Sequence, residues 1–261
     1  MKQQIYFRQK LEENIKVCFK KIRISNKQNK EIVILHQYKL KGNKSDFNSY
    51  RGIFRVPIFR TILDRLIYND QYEVIDEALS DSNVGARKNR NVRDNIFVLN
   101  AITNSVINGN SEPIDIQVFD IEKCFDALWV QECINDVYET GFDNDKLPLL
   151  FAENQHAKIA VKTPTGISKR VSIRNMQGTV WGSLLCTTSM EKLGKHVYEH
   201  EDLLYKYKEK VSIPSLGMVD DILAVQKCSE DSVRMHAIIN AFIEAKKLTL
   251  NKTKCHKEFQ T

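Results

Sequence analysis

Short β-branched or aromatic runs alternate with longer amphipathic stretches along most of this chain, the pattern of a mixed α/β protein. Leu11, Ile15 and Phe19 recur at a spacing of four and predict a helix over Gln9–Phe19. Ile32–Tyr38 suits a strand, a polar turn centred on Gly42 follows, and Tyr50–Val56 alternates as a returning strand. From Pro57 the period lengthens to that of a helix, with Ile58, Ile62, Leu66 and Ile67 on one face and Arg60, Asp64 and Arg65 opposite. A second helix is expected over Asn95–Ile107. Ile114–Asp120 reads as a buried strand ending in an acid, and Ile121–Trp129 as a helix start whose periodicity continues to about Tyr138. Lys158–Lys162 and Lys169–Arg174 flank Pro164-Thr165-Gly166 as a basic hairpin. A helix begins near Ser183 and runs to about His200. Two short apolar runs then bracket Asp220-Asp221, predicting a hairpin with both acids at its tip. Asp231–Leu248 closes the series as a helix, with Val233, Ala237, Ile238, Ala241 and Phe242 on its apolar side, and basic Asn251–Lys254 follows.

Composition narrows the class. With 261 residues, 42% hydrophobic and 28% charged, the chain can bury a substantial core as one large domain or two subdomains. Its 39 Lys and Arg against 33 Asp and Glu leave a net charge of +6, which permits an anionic partner such as nucleic acid without requiring one. The 6 cysteines are scattered singly, which suits a reducing compartment and neither a disulfide framework nor a zinc site. No apolar run approaches a membrane span and the opening residues lack the form of a signal peptide. The expectation is an intracellular protein, in cytoplasm or nucleus, that is not secreted.

The candidate chemistry begins with Asp220 and Asp221. Two adjacent carboxylates repel by roughly 4 kcal/mol at ~4 Å and an effective dielectric near 20, so a hard divalent cation is a natural counterweight. An acidic turn exposed to water is the alternative. A third carboxylate, Asp120, stands at the carboxyl end of a strand where the chain turns into a helix, a common place for ligand chemistry. Basic residues gather in two further places. Lys39, Lys41, Lys44 and Arg51 share the first hairpin, while Arg87, Lys88, Arg90 and Arg93 follow Gly85 in a loop suited to phosphate contact. Solvated charged loops are the plainer reading of both. His196-Val-Tyr-Glu199-His200 has the spacing of an inverted zinc-protease motif, but a third ligand in supporting context is not apparent.

In order, these pieces resemble the fingers and palm of a reverse transcriptase, and most closely the polymerase domain of non-LTR retrotransposons, from about Ile32 to Lys254. Lys39–Ile53 is similar to that family's basic hairpin ending in Tyr-Arg-Pro-Ile, and Gly85-Ala-Arg-Lys-Asn-Arg90 with Asp94 to its Gly-Phe-Arg-x-x-Arg loop. Phe119–Asp126 resembles its Asp-x-x-Lys-Ala-Phe-Asp motif, Gln177–Leu185 its Pro-Gln-Gly-Ser stretch, and Met218–Asp221 its Phe-Ala-Asp-Asp hairpin. Met176, Trp181, Ser183, Met218, Val219 and Gly52 depart from the family pattern. Trp181, in place of leucine, would bring bulk beside a template or nucleotide pocket.

The resemblance implies an α/β right-hand polymerase whose palm is an antiparallel sheet backed by helices, with no thumb evident. Fingers would span 1–112 (1–31 a basic lead-in) and an insertion at 131–172; palm would span 113–130 and 173–261. It implies an RNA-directed DNA polymerase acting on an RNA template, a DNA primer and dNTPs with two Mg2+ ions, Mn2+ being a substitute. Asp120 and Asp220 would hold the metals with Asp221 in support and the Ile121 carbonyl completing the shell. Arg51 and Lys41 would hold the triphosphate, Gln177 and Gly178 would line the nascent base-pair pocket, and Phe125 would stand as steric gate against a 2′-hydroxyl. Arg87, Arg90 and Gly182 would contact template or primer. A catalytic lysine is left open by the shortened stretch near Lys252. Two other readings stay available: a co-opted retroelement fragment that binds nucleic acid without polymerising, and an RNA-dependent RNA polymerase, which the aromatic Phe125 disfavours.

Overall fold

A computed structural model describes Glu13 and residues 32–46, 49–155, 158–163, 166–169, 171–172, 177–213, 215–252 and 254–260. The helix expected over Gln9–Phe19, the hairpin tip at Pro164 and Thr165, and Met176 lie outside them, Glu13 apart. The chain forms two interleaved compact units, one of residues 1–75 and 129–182, the other of 76–128 and 183–261. Residues 76–112, grouped above with the amino-terminal segment, cluster with the second unit. The fold is mixed α/β, as the alternating pattern implies.

In the first unit β1 (Ile32–Tyr38) and β2 (Tyr50–Arg55) pair antiparallel, with Gln37 opposite Arg51 and Tyr38 opposite Tyr50. The two tyrosines brace the basic loop between them. Their rings meet at 5.5 Å, and their hydroxyls donate to the carbonyls of Gly42 and Lys44, each at 2.9 Å. The β1 strand also pairs in parallel with β4 (Lys158–Thr163), which carries the short β5 (Gly166–Ile167) and β6 (Val171–Ser172).

The helix α1 (Ile58–Ala78) buries a different face from the expected one. Ile58 is 76% exposed, whereas Arg60 and Asp64 are buried in the row that continues through Leu63, Ile67, Gln71 and Ile75. The charged pair goes inward because each has a partner: Arg60 Nε lies 3.7 Å from Asp64, and Arg60 Nη2 donates to Asn154, on the helix α5 (Leu147–Gln155), at 3.1 Å. Trp181 departs from expectation too. Its indole is 3% exposed and packs edge-on against Tyr68 and Phe142, so its bulk fills a core and does not project into a pocket.

The second unit is built on a four-stranded sheet in the order β11-β3-β10-β9, antiparallel throughout: β3 is Ile114–Asp120, β9 Leu216–Met218, β10 Asp221–Gln226 and β11 His256–Gln260. The longer helices α2 (Val92–Ile107), α6 (Gly182–Tyr198) and α7 (Ser229–Ala245) accompany it, with a small hairpin of β7 (Tyr205–Tyr207) and β8 (Val211–Ile213). Asn91 starts α2 three residues before the expected Asp94-Asn95 boundary through a capping box, its side chain accepting from Arg93 N while Asp94 accepts from Asn91 N. Ile102 and Val106 of that helix pack with Ile114, Ile116, Val225, Tyr205 and Ile213.

The face of α7 is likewise rotated from the expected one. Met235, Ile239 and Ile243 are fully buried while Val233 is 62% exposed. The strand β11 was not expected at all, since His-Lys-Glu-Phe-Gln shows no alternation. No helix among the described residues is long and apolar enough to cross a membrane.

Trp181 also carries a buried donor. Its N–H finds no acceptor among the described residues. Trp181→Ala should destabilise by about 3–5 kcal/mol through cavity formation, and Trp181→Phe by about 1.5 kcal/mol or less, because it also removes an unpaired buried donor. Urea titration followed by far-UV circular dichroism measures both, and equal losses would contradict the packing role.

Candidate active site

Antiparallel pairing of β3 with β10 places Asp120 opposite Asp221, and the same register continues through Phe119 opposite Ile222 to Asp115 opposite Gln226. β10 turns back on β9 with Asp221 opposite Met218, so Val219 and Asp220 form a two-residue hairpin loop. Val219 takes up the positive φ that such a loop needs at its first position, at 63°. For a β-branched residue that conformation costs on the order of 1–2 kcal/mol or more. Three carboxylates from positions one hundred residues apart thus share the ends of neighbouring strands.

A segment near the carboxyl end braces this edge. Glu122 N donates to Thr249 O and Asn251 N to Asp120 O, both at 2.8 Å, forming a bridge between Ile121 and Leu250. The carbonyl of Ile121 itself lies outside both bonds. Lys254, just beyond, donates from Nζ to Asp120 Oδ1 at 2.7 Å. The basic tail predicted near Lys252 therefore delivers one cation to the acid cluster. The sequence signal was present in Lys252-Thr-Lys254, but which lysine reaches the acids depends on the turn after Leu250.

The electrostatics show the strain of this gathering. Burial, then Asp221, then Asp120 push the Asp220 carboxyl up to about 6, against the opposing pull of its own backbone and Lys254. Asp221 is raised for the same reasons, burial first and Asp120 second, again opposed by Lys254. Lys254 is held above the ordinary lysine value chiefly by its hydrogen bond to Asp120. Three carboxylates facing one ammonium leave excess negative charge on hard oxygen donors, a set that suits a divalent cation. No compact group of three or more His, Cys, Asp or Glu side chains poised as metal ligands occurs among the described residues. The acids are an open set along a strand edge, not a closed cage.

The other expected residues fall as follows. Phe125 is half-buried on α3 (Cys124–Ala127), which follows Lys123 in left-handed conformation; Trp129 and α4 (Val130–Tyr138) come after a break at Leu128. The single helix start expected over Ile121–Trp129 is thus two short pieces. Arg87 is 9% exposed, with Nε bonded to Asp76 Oδ1 at 2.7 Å and its other nitrogens directed at the carbonyls of Asp76, Ser80 and Asn83. It ties its own loop together. Arg90 is exposed and meets Asp81 at 2.5 Å. Gly182 opens α6, its N–H accepted by Thr179 Oγ1 at 3.1 Å.

The remaining four, Arg51, Lys41, Gln177 and Gly178, belong to the first unit. Arg51 and Lys41 are exposed on the β1–β2 hairpin. Gln177 O accepts from Phe54 N at 3.3 Å, and Gly178, at φ 85°, sits where a Cβ would lie 3.5 Å from Ile53. The fold thus brings Gln177-Gly178 against β2, the strand that carries Arg51. The two histidines of the zinc-like spacing have ordinary packing roles: His196 bonds Glu199 at 3.1 Å, stacks on Phe242 and meets His200 edge-on.

Comparison with known proteins places this geometry. Among solved structures, apo telomerase from Candida tropicalis, truncated from its C-terminal domain, matches with a TM-score of 0.56 and 15% identity over 81% of this chain. Telomerase from Candida albicans, in complex with a TWJ fragment of telomeric RNA, matches at 0.57 and 16% over 92%. The chain spans about half the length of these two proteins, 48% and 45% respectively, and at such identity the likeness is one of fold. No curated protein matches the sequence. The family model described as "Reverse transcriptase (RNA-dependent DNA polymerase)" matches residues 41–260, a span that contains Asp120, Asp220, Asp221 and the loop after Gly85, and this chain belongs to that family.

Proposed function

We propose that this chain is the fingers-and-palm portion of an RNA-directed DNA polymerase of the non-LTR retrotransposon type, extending a DNA primer on an RNA template. The observation that supports this most directly is the meeting of Asp120, Asp220 and Asp221 on adjoining strand ends, with Lys254 against Asp120. Asp120 and Asp220 would hold Mg2+, with Asp221 beside them and the Ile121 carbonyl, which lies outside the two bridge bonds, available as a further oxygen. A divalent cation bound there supplies Lewis-acid stabilisation of the attacking 3′-oxygen and the leaving pyrophosphate.

Phosphoryl transfer asks the protein for positioning and charge rather than covalent help, and the chain's own residues answer both needs. The acids orient reactants at the strand edge, and Lys254 keeps a proton on its ammonium beside Asp120. Arg51 and Lys41, exposed on their hairpin, neutralise the triphosphate, while Gln177 and Gly178 meet the base pair. Phe125 stands five positions after Asp120, where its ring excludes a 2′-hydroxyl. Arg90, exposed in its loop, and the backbone at Gly182 meet the nucleic acid. Arg87 supports the same loop from within.

Primer extension on an RNA template, with dNTPs or rNTPs and with Mg2+ present or chelated, tests the reading. Asp220→Ala and Asp120→Ala should each lower extension by about a thousandfold, the loss of several kcal/mol of charge stabilisation. Extension that survived either change would overturn the assignment of the acids. Salt-dependent binding without any extension would instead mark the chain as a nucleic-acid binder. Phe125→Val should raise rNTP incorporation relative to dNTP by about tenfold or more, and unchanged sugar selectivity would remove the gate.

A further inference from the structure

The loop between α1 and α2 carries a side chain that the family motifs did not single out. Asn83 is 5% exposed, and its carboxamide is directed wholly at backbone. Oδ1 accepts from Val219 N at 3.0 Å and from Gly85 N at 2.9 Å, while Nδ2 donates to Val219 O at 2.9 Å. Both peptide groups of a single residue are thus held by one amide. That residue is the one before Asp220, and it is the only β-branched residue with positive φ among the described residues.

The surroundings fit this focus. In the sheet β9 is an edge strand, and residues 82–85 cover its outer side: Gly217 N donates to Ser82 O at 2.6 Å and Val84 N to Gly217 O at 3.0 Å. Asn95 Nδ2 also donates to Gly217 O at 2.9 Å. Gly85 lies so close to the turn that a Cβ there would fall 2.3 Å from Val219 N, and its carbonyl is fixed by Thr187 Oγ1 at 2.9 Å. The loop is therefore anchored independently at Ser82, Val84 and Gly85. Asn83 adds something these bonds do not, since those of Ser82 and Val84 reach Gly217, that of Gly85 reaches Thr187, and none of them extends to Val219.

We propose that Asn83 is a positioning residue that clamps Val219 in the left-handed conformation and so sets where the Asp220 carboxylate stands. It touches no reacting group and acts only through the backbone of Val219. The inference rests on the reading of Asp220 as a metal-holding acid for its consequence in catalysis, though the clamp itself is a statement about the hairpin. Asn83→Ala leaves the three bonds to Gly217 in place, so the loop and β9 stay paired. What is lost is the force holding a β-branched residue at positive φ, and the turn relaxes toward negative φ with Asp220 displaced. Glycine occupies positive φ at the first position of a two-residue hairpin loop without assistance. Val219→Gly should therefore make the clamp dispensable, an outcome that a general folding role for Asn83 does not produce.

The test uses the whole chain as wild type, Asn83→Ala, Val219→Gly and the double variant. Mn2+ affinity is read by electron paramagnetic resonance, dNTP kcat and KM by primer extension, and amide exchange over residues 216–222 by mass spectrometry. Asn83→Ala should weaken Mn2+ binding and lower kcat, each by about tenfold, the equivalent of the conformational cost that is no longer offset. KM for dNTP should stay within about threefold and exchange over 216–222 should quicken. The double variant should regain most of the Mn2+ affinity and kcat, although exchange at residue 219 stays fast. Unchanged Mn2+ affinity in Asn83→Ala, or a loss that Val219→Gly fails to restore, overturns the proposal. A wild-type chain that binds Mn2+ but extends no primer defeats the polymerase reading and leaves the clamp to the Mn2+ titration. Should it bind no Mn2+ either, unaltered exchange over 216–222 in Asn83→Ala is the result that defeats the clamp.

Discussion

The antiparallel register of β3 with β10 is the constraint on which the acid cluster depends, because it sets Asp120 directly across from Asp221. Like charges opposite one another in a sheet are unfavourable by up to about 1 kcal/mol. Against this stands the apolar content of the same register. Phe119, Ile116, Ile222, Ala224 and Val225 are all buried, and each large side chain contributes roughly 1.5–3 kcal/mol when withdrawn from water. A slip of β10 by one residue would turn Ile222, Ala224 and Val225 each to the other face of the sheet. Apolar burial along the strands therefore outweighs repulsion at their ends, and the acids are carried into proximity by residues that have no part in the chemistry.

Holding the charges there has local consequences. Asp220 sits at a turn, half-buried, with its carboxyl raised to about 6, and Lys254 is drawn to the cluster from the far end of the chain. Its reach depends on the short backbone bridge between Ile121 and Leu250 and on the turn after it. The carboxyl-terminal strand β11 then pairs along β3 and fastens that arrangement to the sheet. The edge that bears Asp120 is thus fixed from two sides, by β10 and by the segment leading into β11.

The strands and turns that carry the acids were legible because each has a local signature. Ile114–Asp120 is a run of apolar residues closed by an acid, and Leu216–Gln226 is two such runs around a pair of acids. Helix faces were harder to read. On α1 the row Ile58–Ile62–Leu66 looked apolar, yet the buried row includes Arg60 and Asp64, which pair with each other while Arg60 also reaches Asn154, ninety-four residues away. On α7 apolar residues occupy more than one row, so periodicity cannot choose between Val233 and Met235. β11 has no alternation to detect, and it exists because β3 offers a free edge. In each case the deciding information lies in a partner distant along the chain.

The loop after Gly85 shows the same limit for function. Its cluster of basic residues suggests phosphate contact, but charge alone does not separate Arg87 from Arg90. Burial does: Arg87 is enclosed, with Asp76 and three carbonyls around its guanidinium, while Arg90 is exposed beside Asp81. An arginine that satisfies four backbone and side-chain acceptors stiffens the segment from Asp76 to Asn83. That segment in turn lies along β9 and reaches the turn before Asp220 through Asn83. The conformational cost at Val219 is thus met by hydrogen bonds that come largely from one loop. A polar stretch that reads as a surface feature in sequence is, in the folded chain, the support on which the acid pair stands.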